Sequence, residues 1–128
     1  MNGGAMNDLT RRRRLSILER KHVYEKCKGH CAYCGEKLDM KDMQIDHIVP
    51  LCRGGKDELE NMLPACRSCN HYKRTSSIEG FREMIEKIPD KLERDSYIYR
   101  IGRRYGNVTS NKKAIGFYFE KMKEGQNE

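Results

Sequence analysis

Two tight cysteine pairs, Cys31-Ala32-Tyr33-Cys34 and Cys66-Arg67-Ser68-Cys69, constrain this chain more than any other feature. A CxxC turn puts two sulfurs on one side of a knuckle. Two such turns close a tetrahedron of thiolates, the coordination that structural zinc prefers. Four thiolates leave no position for water or substrate, so Cys31, Cys34, Cys66 and Cys69 are expected to contribute folding free energy and no chemistry. The competing use of CxxC, a thioredoxin-like redox pair, needs a helix start within a βαβ pattern, which this chain lacks.

A metal staple answers a need set by composition. With 128 residues, 37% of them apolar and 35% charged, the chain is expected to form one domain with a thin core. Small domains bury little surface, and a structural metal is a standard remedy. Six cysteines could instead form disulfides in a secreted chain. The first thirty residues hold no apolar run, however, and no stretch approaches the length of a membrane span. A cytoplasmic chain with reduced thiols is therefore expected. Cys27 and Cys52 have no partner at ligand spacing and read as reduced spectators.

The net charge of +7 and a pI near 9.2 favour a polyanionic partner, of which nucleic acid is the commonest. Charge alone is equally compatible with a merely soluble basic protein. Arg11 to Arg14 form a basic run that suits a phosphate-gripping arm, a localisation signal or a solvated tail.

Along the chain, helix formers with apolar residues at Leu15, Leu18, Val23 and Tyr24 predict a helix reaching Lys26. Gln44 to Val49 predicts a strand stopped by Pro50, and Gly54-Gly55 a loop. Glu58 to Leu63 suits a helical turn before Pro64, and Asn70 to Thr75 the start of a helix. Ser76-Ser77-Ile78-Glu79 fits a capping box for a helix that Pro89 should end. Asp90 to Arg104 predicts one more helix, capped by Asp90. Ile115, Phe117 and Phe119 alternate like a last strand, and the tail beyond Lys121 should fray.

Between and just after the cysteine pairs sit Asp46-His47-Ile48-Val49-Pro50, Arg53-Gly54-Gly55, Glu60-Asn61-Met62 and Cys69-Asn70-His71-Tyr72-Lys73. In this order and spacing, across about residues 28–75, the chain resembles the HNH endonuclease family. The resemblance implies an α+β fold: a small zinc-stapled ββα-metal core, here with flanking helices and a C-terminal strand. With that core at 28–75, the chain is expected to comprise a flexible basic arm at 1–14, a nuclease domain at 15–121 and a polar tail at 122–128.

The resemblance also implies roles. His47 matches the general base that activates water, and the reference imidazole pKa of about 6.5 suits that task. Asp46 matches a ligand of one catalytic divalent ion, and Asn61 the catalytic-set asparagine that helps hold the histidine. The last letter of the motif falls on Asn70, as in an HNN variant, with His71 the alternative ligand. Helical neighbours point about 100° apart, so the two cannot easily serve one site. Oxygen ligands suit Mg2+ or Mn2+, while the four cysteines suit Zn2+. Arg53, Lys73 and Arg74 are candidates for contacting DNA, expected to be double-stranded, with no membrane partner.

Adjacent strand residues face opposite ways, so Asp46 and His47 can flank one phosphate only at the end or edge of their strand. The expected activity is metal-dependent hydrolysis of DNA phosphodiester bonds. Its rivals are a non-catalytic zinc module that binds nucleic acid, and a zinc-stapled interaction domain. Neither rival needs Asp46, His47 and Asn61.

Overall fold

The computed structural model of the chain describes residues 13–126. Most of the basic arm therefore lies outside the described residues. Its last two members, Arg13 and Arg14, are described, and Arg13 is hydrogen-bonded to Asp57.

Helix α1 spans Ile17–Glu25. Its start is fixed by a capping box in which Ser16 Oγ accepts from Glu19 N–H while Glu19 accepts from Ser16 N–H. Strand β1, Gln44–His47, pairs antiparallel with β2, Met62–Ala65, and Asp46 lies opposite Leu63. Helix α2, Arg67–Lys73, begins inside the second cysteine pair and packs on β1. Cys66 is its N-cap, with the sulfur accepting from Cys69 N–H. This is the two-strand-and-helix core expected of the chain.

The second strand falls where a helical turn was expected. Only Leu59–Asn61 coil, as a single 3-10 turn, and Met62 to Ala65 then run extended through Pro64. A two-stranded sheet has only edges, where the missing proline N–H costs no ladder bond.

The flanking segments are helical. Helix α3 covers Ile78–Glu86, capped by Ser77, whose hydroxyl oxygen accepts from Gly80 N–H, so the expected box with Glu79 does not form. Pro89 sits in the first turn of helix α4, Ile88–Asp95, and starts that helix where it was expected to end the previous one. The single helix expected over Asp90 to Arg104 is broken at Ser96, whose hydroxyl caps α5, Tyr97–Arg104. Among the described residues no helix is long and apolar enough to cross a membrane.

The C-terminal strand is absent. Residues 109–117 carry no regular structure, and α6 runs Tyr118–Gln126 through the stretch expected to fray. Phe117 and Phe119 alternate for a different reason: both rings pack against Tyr33, at 5.2 and 6.0 Å between centroids. The backbone N–H groups of Tyr118 and Phe119 donate to the carbonyls of Tyr33 and Ala32. The orphan donors at the start of α6 are thus satisfied by the first CxxC turn.

The core lies in two clusters. One gathers Cys27, Tyr33, Leu63, Phe81 and Phe117 beside the first cysteine pair. The other packs Val23 of α1 against Leu38, Met43 and Met62. The strand pair lies between them, so β1 and its terminal residues are held from both sides.

Candidate active site

The four cysteines of the two pairs converge. Their sulfurs all lie within 4.8 Å of one another, and Cys34 Sγ is 3.9 Å from Cys66 Sγ. Zinc–sulfur bonds of about 2.3 Å in a tetrahedron put sulfurs about 3.8 Å apart, so the cluster could hold a metal ion of that kind. Cys31 is the readiest thiolate. A hydrogen bond from the Cys69 thiol brings it down to about 4 against its burial, helped by the N–H groups of Cys66, Cys34 and Tyr33. Gly29 and Gly35, with φ of +83° and +81°, supply the left-handed corners on either side of the first pair. Cys27 is buried apart from the cluster, and burial pushes its thiol up to about 11. That is the behaviour of an inert core thiol.

Strand β1 ends at His47, and Asp46 and His47 together line a small cavity of about 110 Å3 with Pro50, Leu51, Cys52, Arg74 and Thr75. The two side chains leave the strand in opposite directions, but at its end both border one space. Both are nearly inaccessible, at 2% and 4% exposure.

Asp46 is gripped from within. Tyr33 donates its hydroxyl to Asp46 Oδ2, and Lys73 Nζ lies 3.1 Å from the same oxygen and 3.2 Å from the His47 carbonyl. Burial and the neighbouring carboxylate hold the Tyr33 hydroxyl far above its ordinary range, so it stays a donor. Lys73 was expected to contact DNA. Its side chain is wholly buried, and it serves the carboxylate of Asp46 instead. A cation so placed offers nothing to a phosphate in solvent.

Arg53 and Arg74 are exposed and sit near the cavity. Arg53 donates from Nε to the Thr75 carbonyl at 2.6 Å, tying the Gly-Gly loop to the end of α2. Arg74 lines the cavity and has φ +52° and ψ −123°, a conformation that costs a non-glycine residue on the order of 1–3 kcal/mol. Asn70 is half-buried and precedes Lys73 by three residues, hence on the same face of α2, whereas His71 is exposed.

Asn61 makes no hydrogen bond to the His47 ring. Its amide accepts from Val49 N–H and donates to the carbonyls of Val49 and Lys56, while its carbonyl accepts from Ile48 N–H. The loop that leaves the strand after His47 is thereby stapled shut. Gly55 lies inside the staple, where a Cβ would stand 1.8 Å from the Val49 carbonyl oxygen. Only glycine fits that approach.

Three residues at the site were not anticipated from the sequence. Tyr33 holds Asp46, as above. Asp57 Oδ1 lies 2.9 Å from His47 Nε2, and Arg13 donates its N–H to Asp57 Oδ2 at 2.7 Å. Burial pushes the Asp57 carboxyl up, but the bonds from His47 and Arg13 prevail and hold it below its ordinary range. His47 also borders a wider cleft of about 430 Å3, whose lining includes Arg13, Arg14, Arg20 and Lys41. Nothing in the sequence around Asp57 marks it, because one acidic residue in a polar loop is commonplace.

The family model described as HNH endonuclease matches residues 31–76. The CRISPR-associated endonuclease Cas9 of Corynebacterium diphtheriae is 33% identical over 69 residues, covering 44% of this chain and 6% of that protein. The type IV methyl-directed restriction enzyme EcoKMcrA of Escherichia coli K12 is 26% identical over 81 residues, covering 56% of this chain and 27% of that protein. The chain thus spans well under a third of the length of either curated relative. The matched stretch opens at the first zinc-type knuckle and closes just past α2, and so encloses both strands, the cavity and the four sulfurs. Over residues 31–76 the chain is therefore similar to an HNH endonuclease domain.

Proposed function

We propose that this chain is a metal-dependent endonuclease that hydrolyses phosphodiester bonds of double-stranded DNA. The observation that carries the reading is the joint position of Asp46 and His47 at the end of β1, bordering one cavity lined by Arg74. A similar match to two nucleases, one acting within a CRISPR system and one a restriction enzyme, supports the same class.

The residues present fit a divalent ion. Asp46 offers a carboxylate at the cavity, and Asn70 an amide oxygen from the helix face that also carries Lys73. Hard oxygen donors suit Mg2+ or Mn2+, and the open space that Asp46 borders leaves room for waters to complete the shell. These two residues would hold the ion; His71, exposed on another face, is the weaker candidate. When bound, such an ion neutralises charge building on the phosphoryl group and on the leaving 3′ oxygen.

The protein's own part is positional and basic. His47 accepts the proton of the attacking water as general base. Its neighbours exclude bulk water from the ring, which is 4% exposed. Asn61 acts as a positioning residue by closing the loop that follows His47. Arg74, and Arg53 behind it, meet the phosphate backbone with positive charge. Attack with departure of the 3′ oxygen leaves a 3′ hydroxyl and a 5′ phosphate. The four cysteines hold zinc as scaffold.

Supercoiled plasmid with Mg2+ or Mn2+ tests the reading. Wild type should nick or linearise it, and His47→Ala should lose about 10²- to 10⁴-fold in rate, the span of general-base contributions. Equal inactivity of both, with salt-sensitive DNA binding retained, would leave a zinc-containing nucleic-acid-binding module in its place.

A further inference from the structure

We propose that Asp57 is a positioning residue for His47, fixing the imidazole with its proton on Nε2 and its free lone pair on Nδ1. The inference rests on the reading of His47 as general base and names the group that sets which nitrogen does the work.

The geometry is a chain of bonds running from α1 to the base. Glu19, part of the capping box of α1, receives Arg13 Nη1 at 2.8 Å. Arg13 in turn grips Asp57 twice, by its N–H to Oδ2 at 2.7 Å and by Nε to the backbone carbonyl at 3.0 Å. Asp57 then meets His47 Nε2 through its other oxygen, Oδ1, at 2.9 Å. Both carboxylate oxygens are therefore committed, and the loop bearing Asp57 is tied to a helix outside the motif.

An ionised carboxylate can only accept hydrogen bonds. The contact with Oδ1 therefore requires a proton on Nε2, and a neutral imidazole then carries its lone pair on Nδ1. Since His47 also lines the cavity of Asp46, Nδ1 is the nitrogen left to take a proton from water. The carboxylate further stabilises the imidazolium formed on proton transfer, as the aspartate does in a serine-protease triad. Asn61 cannot fill this role, because its amide is consumed by Val49 and Lys56.

The test compares the wild-type chain with Asp57→Asn, Asp57→Ala and His47→Ala on plasmid DNA. Imidazole nitrogen–proton correlation spectra of the 15N-labelled proteins are recorded beside the assays. Wild-type His47 should show the Nε2–H tautomer. Asp57→Asn is isosteric and should still fold, but its amide can donate to Nε2 and so populate the Nδ1–H form. Its kcat should fall about ten- to a hundred-fold with KM little changed, the loss typical of removing a partner that orients a histidine. Asp57→Ala should release the ring to a mixture of tautomers with a similar kcat loss.

A wild-type ring protonated on Nδ1, or an Asp57→Asn enzyme with full kcat, would overturn the proposal while leaving the nuclease reading intact. If wild type does not cleave at all, the nuclease reading is lost. The spectra still decide whether Asp57 sets the His47 tautomer: a ring unchanged by Asp57→Asn overturns that hold, and a shifted one supports it.

Discussion

The ammonium of Lys73 lies 3.1 Å from the carboxylate of Asp46, with both side chains sealed from solvent and the Tyr33 hydroxyl donated to the same oxygen. A helix residue and a strand residue are thus joined by a buried ion pair immediately behind the cavity. Removing the cation leaves a buried carboxylate supported by tyrosine alone. Lys73→Ala should therefore cost about 3 kcal/mol in urea unfolding, in the range for breaking one side of a buried pair. A loss no larger than that of an exposed lysine such as Lys21 would show that the pair does not hold α2 to β1.

Arg74 separates function from stability in the opposite direction. Its φ of +52° is one that glycine adopts freely. Arg74→Gly should leave thermal stability unchanged or raise it by up to about 1 kcal/mol, strain relief being set against the greater chain entropy of glycine. DNA binding by the same variant should weaken, and its salt dependence should become shallower. Unchanged affinity at every salt concentration would remove Arg74 from the phosphate-contacting set.

Metal removal should act on the fold. The sulfur cluster joins the turn before β1 to the turn that starts α2, so a chelator should lower the melting temperature and zinc should restore it. Cys66→Ser should mimic the chelated protein. Cys52→Ser, altering an exposed thiol outside the cluster, should melt like wild type. A chelated protein with an unshifted melting curve would show that the cluster contributes no stability.

Acid should weaken the seam between α3 and α6. Arg82 binds both oxygens of Glu120, donates to the Ile115 carbonyl and lies 4.9 Å from the centre of the Phe117 ring. The hydrogen bond from Arg82 holds Glu120 below its ordinary value of 4.5. A carboxyl depressed in the folded state contributes stability above its unfolded pKa and loses it as pH falls through the folded one. Arg82→Met should therefore destabilise by about 2 kcal/mol at pH 7, and the gap from wild type should shrink below about pH 4.5. A gap equally wide at pH 3 and pH 7 would assign the effect to packing alone.

Local chemistry made much of this site readable in advance. Cysteine spacing marks the cluster, and the run from Asp46 to Pro50 marks the strand end, because metal geometry and strand period both leave short-range signatures. Ser16 and Glu19 carried a readable capping signal too, although hydrophobic periodicity alone had defined that helix. The failures share a cause. Lys73 looks like a surface lysine until β1 is packed on its helix. Phe117 and Phe119 look like a strand until Tyr33 is placed against them. Asp57 and Arg13 are 44 residues apart, and only the tertiary fold makes them neighbours. Met62 and Leu63 read as the end of a helical turn until β1 is laid beside them.

Tyr33 has a consequence for how such domains can be exchanged between proteins. Its backbone belongs to the first cysteine turn and its hydroxyl holds Asp46, but its ring is clasped edge-on by Phe81 and Phe117, each 5.2 Å away. Both phenylalanines lie beyond residue 76, where the recognisable stretch ends. The smallest transplantable unit is therefore larger than the signature by which it is recognised. A graft cut at the motif's borders would carry the chemical groups without the aromatic vice that aims one of them, and its recipient would have to supply two rings of its own.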